Sequence, residues 1–155
     1  RQAAAEAVYG IHRSPVHAQR LAEMGIVPIA QHDTAAVNAA AVQAEVVYDA
    51  TGGSLAETIL SVMPETGTFV CYGLLSGQTF RQQRPLPRVA WFHIRNYLDA
   101  LNAEAWQAEF RRIWPKLRAS QCSDVTLYPL SEWQRAVGNY REAGRTGKPM
   151  LSMDN

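Results

Sequence analysis

Short apolar runs alternate along this chain with stretches in which apolar residues recur every three or four positions. "AVYGIH" (7–12) is apolar and reads as a strand, and it leads into Ser14-Pro15, a cap residue followed by proline at a first helical position. Ala18, Leu21 and Ala22 then supply a helical face, and Gly25 stands where a helix C-cap belongs. "IVPIA" (26–30) predicts a second strand, at an edge because of Pro28. Asp33 is placed to cap an alanine-rich helix reaching about Gln43, and "AEVVYDA" (44–50) predicts the third strand. A helix over 54–63, stopped by Pro64, and a fourth strand in "GTFVCYGLLSG" (67–77) complete the run.

Strands alternating with helices through short connections predict an α/β fold, with a parallel sheet and helices on its faces. Ligands of such sheets bind beyond the carboxyl ends of the strands. His12-Arg13-Ser14, Thr51-Gly52-Gly53 and Tyr72-Gly73-Leu74 fall at those ends, so the expectation is three candidate segments on one rim of one sheet.

Beyond Gly77 the pattern changes. "QTFRQQRPLPR" (78–88) is polar and proline-bearing, which predicts a loop or arm. Leu101, Ala105, Phe110, Ile113, Trp114 and Leu117 approximate a helical stripe, with Pro115 expected to break or kink the helix near its end. Ser131 and Gln134 have capping-box spacing ahead of a helix whose expected buried face is Trp133, Ala136, Val137 and Tyr140. "GKPMLSM" (147–153) predicts a closing strand.

Composition narrows the function classes. With 155 residues, 47% hydrophobic, the chain holds enough apolar side chains for a globular core. A formal net charge of +1 gives no electrostatic reason to expect nucleic acid or an anionic membrane as partner. No apolar run approaches the roughly 20 residues of a membrane helix, and "RQAAAEA" (1–7) reads as a helix end rather than a leader. Cys71 and Cys122 form no C-x-x-C pair, which favours a reduced, cytoplasmic setting. His12, His17, His32 and His93 have no metal-ligand spacing, so no metal site is expected.

The candidate chemistry lies in the strand-end segments. After a strand of a dinucleotide-binding crossover, a carboxylate favours a bare ribose, whereas a guanidinium forks onto a 2′-phosphate. The turn here offers Arg13, Ser14 and His17, and no acid before Glu23. That combination favours NADP(H) over NAD(H), against the plainer alternative of a solvated arginine beside a helix cap. Gly52 and Gly53 are either turn residues or sites of close approach by a flat ligand, and Gly73 raises the same choice. Lys148, in "GRTGKPML", belongs to no phosphate-loop motif and is otherwise an exposed lysine before a strand. Asp49 at a strand end is expected to fix the local turn. Trp91, Phe92 and His93 are expected in the core or, alternatively, lining a pocket.

Together, "AVYGIHRSPVHAQRLAEMGI", "AEVVYDATGGSLAETILSVMPETGTFVCYGLLSG" and "LYPLSEWQRAVGNYREAGRTGKPML" resemble the cofactor domain and C-terminal segment of the medium-chain dehydrogenases/reductases. The nearest types are the zinc-independent quinone reductases and 2-enoyl thioester reductases. The resemblance implies a Rossmann-type parallel sheet with helices on both faces. It implies an NADP(H)-dependent oxidoreductase moving hydride between nicotinamide and an activated alkene or carbonyl, commonly as a homodimer, with the "CYGLLSG" edge (71–77) as a seam. Arg13, Ser14 and His17 would hold the adenosine ribose and its 2′-phosphate. Thr51 and Gly52 would flank the adenosine half, Tyr72, Gly73, Leu74 and Phe92 would border the nicotinamide, and Lys148 would approach the phosphates.

The family's first strand, glycine-rich loop and catalytic domain have no counterpart in these residues, so the expectation is part of a longer enzyme, with the catalytic groups upstream of Arg1. The expected division is a partial cofactor domain over 1–120 and, over 121–155, a segment returning toward that absent domain. Two rivals stand beside this reading: an α/β interaction or dimerisation module without catalysis, and another nucleotide-using enzyme such as a methyltransferase. The absence of an acid in the turn after Ile11 speaks against the second.

Overall fold

The computed structural model describes residues 5–120, 124–142 and 144–153. Cys122 and most of the expected N-terminal helix end, 1–4, lie outside them. Among the described residues the order is β1 (Tyr9–His12), α1 (Val16–Glu23), β2 (Val27–Ala30), α2 (Thr34–Ala41), β3 (Val46–Asp49), α3 (Gly53–Val62) and β4 (Thr68–Cys71). There follow β5 (Arg88–Trp91), α4 (Ile94–Leu98), α5 (Ala103–Arg118), β6 (Asp124–Pro129), a 3₁₀ turn (Leu130–Glu132), α6 (Trp133–Arg141) and β7 (Gly147–Ser152). Every strand pairing is parallel. This is the α/β architecture the alternation predicts.

The chain divides into two compact units. Unit 2, Gln31–Leu117, is continuous and holds the sheet β3-β4-β5. Its core comes from the helix faces the periodicity marked: Val37 and Ala41 on α2, Ala56, Ile59 and Leu60 on α3, then Met63, Phe69 and Cys71. Each large apolar side chain buried here contributes about 1.5–3 kcal/mol. Asp33 caps α2 as expected, its Oδ1 accepting from the Ala36 N–H at 3.0 Å. Pro64 forces Met63 into extended backbone, which ends α3 at Val62.

The arm over 78–88 is secured to this core. Glu57 accepts from the Arg81 N–H, and the Arg84 guanidinium donates to the Met63 carbonyl at 2.8 Å. Phe80 meets the buried Phe69 edge-on at 5.6 Å between centroids and stacks on Trp91 at 5.2 Å.

Unit 1 draws on both ends of the chain, Arg1–Ala30 and Arg118–Asn155. It contains two separate two-stranded sheets, β1-β2 and β6-β7. Helix α1 ends in a Schellman motif at Gly25: Gly25 N–H donates to Ala22 and Ile26 N–H to Leu21. Pro28 lies on a strand paired on one side only, as its missing N–H requires.

Several expectations need correction. The four predicted strands form two ladders rather than one, because β2 and β3 are not paired. The fourth strand stops at Cys71; Tyr72 onward turns back over the end of β3. β5 and β6 were missed, since proline and charge obscured "RVAW" and "DVTLYP". Ser14 makes no side-chain cap, and its carbonyl accepts from His17 instead. The capping box is unformed, because Ser131 lies inside the 3₁₀ turn. α5 continues through Pro115. Phe110, Ile113, Trp114 and Leu117 of its stripe, together with Trp133, Val137 and Tyr140 of α6, are exposed rather than buried.

Replacing Asp33 by Ala removes the acceptor for Ala36 and costs about 1 kcal/mol, whereas Asp33→Asn keeps the cap. Urea unfolding of the two variants should separate them by most of that amount.

Candidate functional site

Asp49 builds the rim of unit 2. At 5% exposure it is the buried charged residue of this core, and its two carboxylate oxygens accept from the main-chain N–H groups of Thr51 (3.0 Å) and Gly52 (2.9 Å). This is the turn-fixing role expected of an acid at a strand end. The carboxylate holds the chain as it swings from β3 into α3. Gly52 then takes φ 68°, ψ −158°, a combination restricted to glycine.

The close approach anticipated at this glycine is made by the chain itself. A Cβ on Gly52 would stand 2.5 Å from Leu74 Cδ2 and 2.7 Å from the Gln78 carbonyl oxygen. Hydrogen bonds bind the two turns together: Tyr72 N–H to Asp49 O, Leu75 N–H to Ala50 O, Ser76 N–H to Thr51 O and Gly53 N–H to Gln78 O. The Ser76 hydroxyl adds a bond to the Thr51 carbonyl at 2.7 Å. Phe92 N–H donates to Cys71 O, carrying the pattern on to the end of β5.

Thr51, Gly52, Tyr72, Gly73, Leu74 and Phe92 therefore share one rim. Gly52 is buried beneath Leu74, while Tyr72 (54%), Leu75 (84%) and Phe92 (49%) leave an apolar ledge open. Trp91 is exposed and stacked on Phe80, and His93 is exposed, so that cluster is not core. Cys71, facing Asp49 across the ladder, lies at 2% exposure. Burial, and secondarily the Asp49 charge, push its thiol above the ordinary value.

Arg13, Ser14, His17 and Lys148 belong to unit 1. Here His17 and Lys148 line a concavity of about 510 Å³ with Tyr140, Glu142, Arg145 and Thr146. The loop before β7 is preorganised. The Arg145 guanidinium donates to the Tyr140 carbonyl at 2.8 Å and lies 4.4 Å over that residue's ring. A Cβ on Gly144 would stand 2.9 Å from Ser14 Oγ, so Ser14 lies against this loop. Arg13 is exposed and not among the lining residues. His12 Nδ1, at the end of β1, is buried with no hydrogen-bond partner.

Arg145 and Thr146 were missed by the sequence reading, which fixed on Lys148. The signal was present in "GRTGK", where the arginine follows a glycine as the lysine does. A guanidinium, an ammonium, an imidazole and a hydroxyl around one hollow form a donor set suited to a phosphate. Glu142 opposes it, with its carboxylate engaged by the Asn139 amide at 3.2 Å. No group of three His, Cys, Asp or Glu side chains suited to a metal occurs among the described residues. No helix among them is long and apolar enough to cross a membrane.

Among solved structures, a Bacillus thuringiensis protein described as an NADPH:quinone reductase superposes with a TM-score of 0.78 at 22% identity, over 94% of this chain and 48% of that one. The chain shares its fold with solved quinone and enoyl reductases. The CurK enoyl reductase matches at a TM-score of 0.72 and 19% identity, over 97% of this chain and 48% of its own. A mycobacterial protein solved with NADPH matches at 0.71 and 14%, over 94% and 48%. The chain thus spans about half the length of the solved reductases it matches. No protein-family model and no curated protein sequence matches it.

Two outcomes follow from the rim. Gly52→Ala should cost at least about 2 kcal/mol in urea unfolding, combining backbone strain with the overlap on Leu74 and Gln78. In a Cys122→Ser background, the Cys71 thiol should resist alkylation at neutral pH until the chain unfolds. Because its pKa is raised on folding, its contribution is complete below the unfolded thiol value of about 8.5 and lost as pH rises through the folded value. Stability should therefore decline at alkaline pH, and Cys71→Ala should remove that part of the decline.

Proposed function

We propose that the chain forms the cofactor-binding part of an NADP(H)-dependent oxidoreductase. The observation that carries this reading is the hollow in unit 1, where His17, Arg145 and Lys148 face one space with the Thr146 hydroxyl. Three cationic or protonatable groups against one carboxylate suit the 2′-phosphate that distinguishes NADP(H) from NAD(H). Ser14, packed at the loop's Gly144, and Arg13 in the turn after β1 complete the proposed adenosine-phosphate site.

In unit 2, Thr51 and Gly52 flank the adenosine half, while Tyr72, Gly73, Leu74 and Phe92 border the nicotinamide. The exposed apolar ledge supports that assignment, since a flat ring needs an uncharged surface to lie on. When bound, the cofactor supplies the hydride, and these residues orient it toward an activated alkene or carbonyl, of the quinone or enoyl thioester type. The reductase fold supports this chemistry. The reading further assigns residues 1–120 to the cofactor domain and 121–155 to a segment returning toward a catalytic domain. It also takes the protein to be cytoplasmic and homodimeric.

One observation favours a second reading, a module of the same fold without catalysis. The glycine expected to admit a ligand at the end of β3 is instead covered by Leu74 and Gln78.

Adenosine 2′,5′-bisphosphate and AMP, titrated into the chain by calorimetry or NMR, separate the two readings. The bisphosphate should bind at least about tenfold more tightly. Arg145→Ala and Lys148→Ala should each erase most of that preference without changing the unfolding midpoint. Equal affinity for both nucleotides would remove the NADP(H) assignment, and binding of neither would favour the silent module.

A further inference from the structure

The hollow of unit 1 gathers charges of both signs that do not meet. Glu142 lines it together with His17, Arg145 and Lys148. Among the described residues, no ion pair joins that carboxylate to any of these groups. Opposite charges on long side chains around one space attract and tend to close on each other. Here each is held by a partner of its own. Arg145 is tied to the carbonyl and ring of Tyr140, while the Asn139 amide donates to Glu142 Oε2 at 3.2 Å. The Glu142 N–H also donates to the Asn139 carbonyl, so one residue fixes it through both main chain and side chain. Oε1 is left without a protein partner among the described residues.

We propose that Glu142 is a specificity-determining residue that accepts a hydrogen bond from the ribose hydroxyl beside the bound phosphate, an assignment that rests on the adenosine-phosphate reading of this hollow. In a ribose 2′-phosphate the 3′-oxygen remains a hydroxyl, and the two oxygens are cis on adjacent carbons. A ligand that sets its phosphate against the cations therefore offers a donor next to it. An ionised carboxylate can only accept, so a donor is what Glu142 can take. Against a phosphate alone it repels. Glu142 is exposed, so that repulsion is screened and amounts to no more than about fivefold in affinity. A hydroxyl bonded to a carboxylate is worth about tenfold or more. The bond outweighs the repulsion only where the hydroxyl is present. Glu142 thus turns a general anion hollow into one that selects a ribose with one phosphate and one free neighbouring hydroxyl.

The helix itself does not account for this acid. Glu142 is the C-cap of α6, where the helix dipole and the unpaired carbonyls disfavour a negative charge. Its carboxylate works against the element it terminates. Nor does the turn after β1 supply an acceptor for a ribose hydroxyl, since Arg13 and Ser14 stand where an acid would serve that purpose. The acceptor comes instead from the other end of the chain, on the loop that also carries Arg145.

Calorimetric titration of the 155-residue chain with adenosine 2′,5′-bisphosphate and with its 3′-deoxy analogue tests the assignment. The wild type should bind the hydroxyl-bearing ligand about tenfold more tightly. In Glu142→Ala that ratio should fall to near one, and the 3′-deoxy ligand should bind up to about fivefold more tightly than it does to the wild type, because the repulsion is gone. Glu142→Gln keeps an acceptor without the charge and should retain part of the ratio, which a merely structural role for Glu142 would not produce. Neither variant should lower the unfolding midpoint, since each removes an unfavourable charge from a helix C-terminus. AMP, titrated in parallel, reports on the underlying reading. If the bisphosphate binds no better than AMP, the phosphate site and the role of Glu142 both fall. If it binds better than AMP but the wild type ignores the 3′-hydroxyl, or if Glu142→Ala still prefers it about tenfold, the role of Glu142 alone is overturned.

Discussion

The two hydrogen bonds accepted by the Asp49 carboxylate set the geometry of the whole rim in unit 2. They turn the chain sharply at the end of β3 and fix Gly52 in a conformation that other residues avoid. That conformation creates the recess into which Leu74 packs. With Leu74 seated, the turns after β3 and β4 bond to each other through Ala50, Thr51 and Gly53, and the ledge of Tyr72, Leu75 and Phe92 is displayed at the strand ends. A buried carboxylate is expensive unless its oxygens are satisfied. Here the partners are the N–H groups that a turn into a helix would otherwise leave without acceptors, so one arrangement resolves both demands.

The two units use charge and apolar surface differently. Unit 2 has a true core, with Phe69, Met63 and Ala56 fully enclosed, and its polar groups mostly serve local geometry. Unit 1 buries little: Ile29 and Ala136 are its enclosed apolar side chains among the described residues. Its distinctive chemistry is the gathering of His17, Arg145 and Lys148 around one hollow, held by the contact of Arg145 with Tyr140. Rigid presentation of a few cations is what recognition of a phosphate demands, and a large core is not needed for it.

Legibility from sequence followed the range of the interactions involved. The first four strands, the helices between them, the Asp33 cap, the Gly25 terminus and the turn-fixing role of Asp49 depend on residues within about four positions of one another, and all were readable. The pairing of strands was not, because whether β2 meets β3 depends on contacts between distant segments. β5 was hidden for the opposite reason. "RVAW" is too short and too mixed to announce itself, and its stability comes from β4 beside it and from Phe80 stacked on Trp91. At the site, Gly52 was expected either to serve a turn or to admit a flat ligand; it serves the turn, and the group that covers it, Leu74, lies beyond any local pattern. Arg145 was overlooked because nothing in its neighbours reveals that Tyr140 will hold it.

The division of the chain also has a consequence for the entropy of folding. Unit 2 is one continuous segment, whereas unit 1 requires that residues before Gln31 meet residues after Leu117. Closing so long a loop in a disordered chain costs roughly 1 kcal/mol more than closing one of the short crossovers inside unit 2. Once unit 2 is ordered, less of the intervening chain remains disordered, and part of that cost has already been met. The core around Phe69 thus lowers the entropic barrier to assembling a phosphate-suited hollow to which it contributes no side chain.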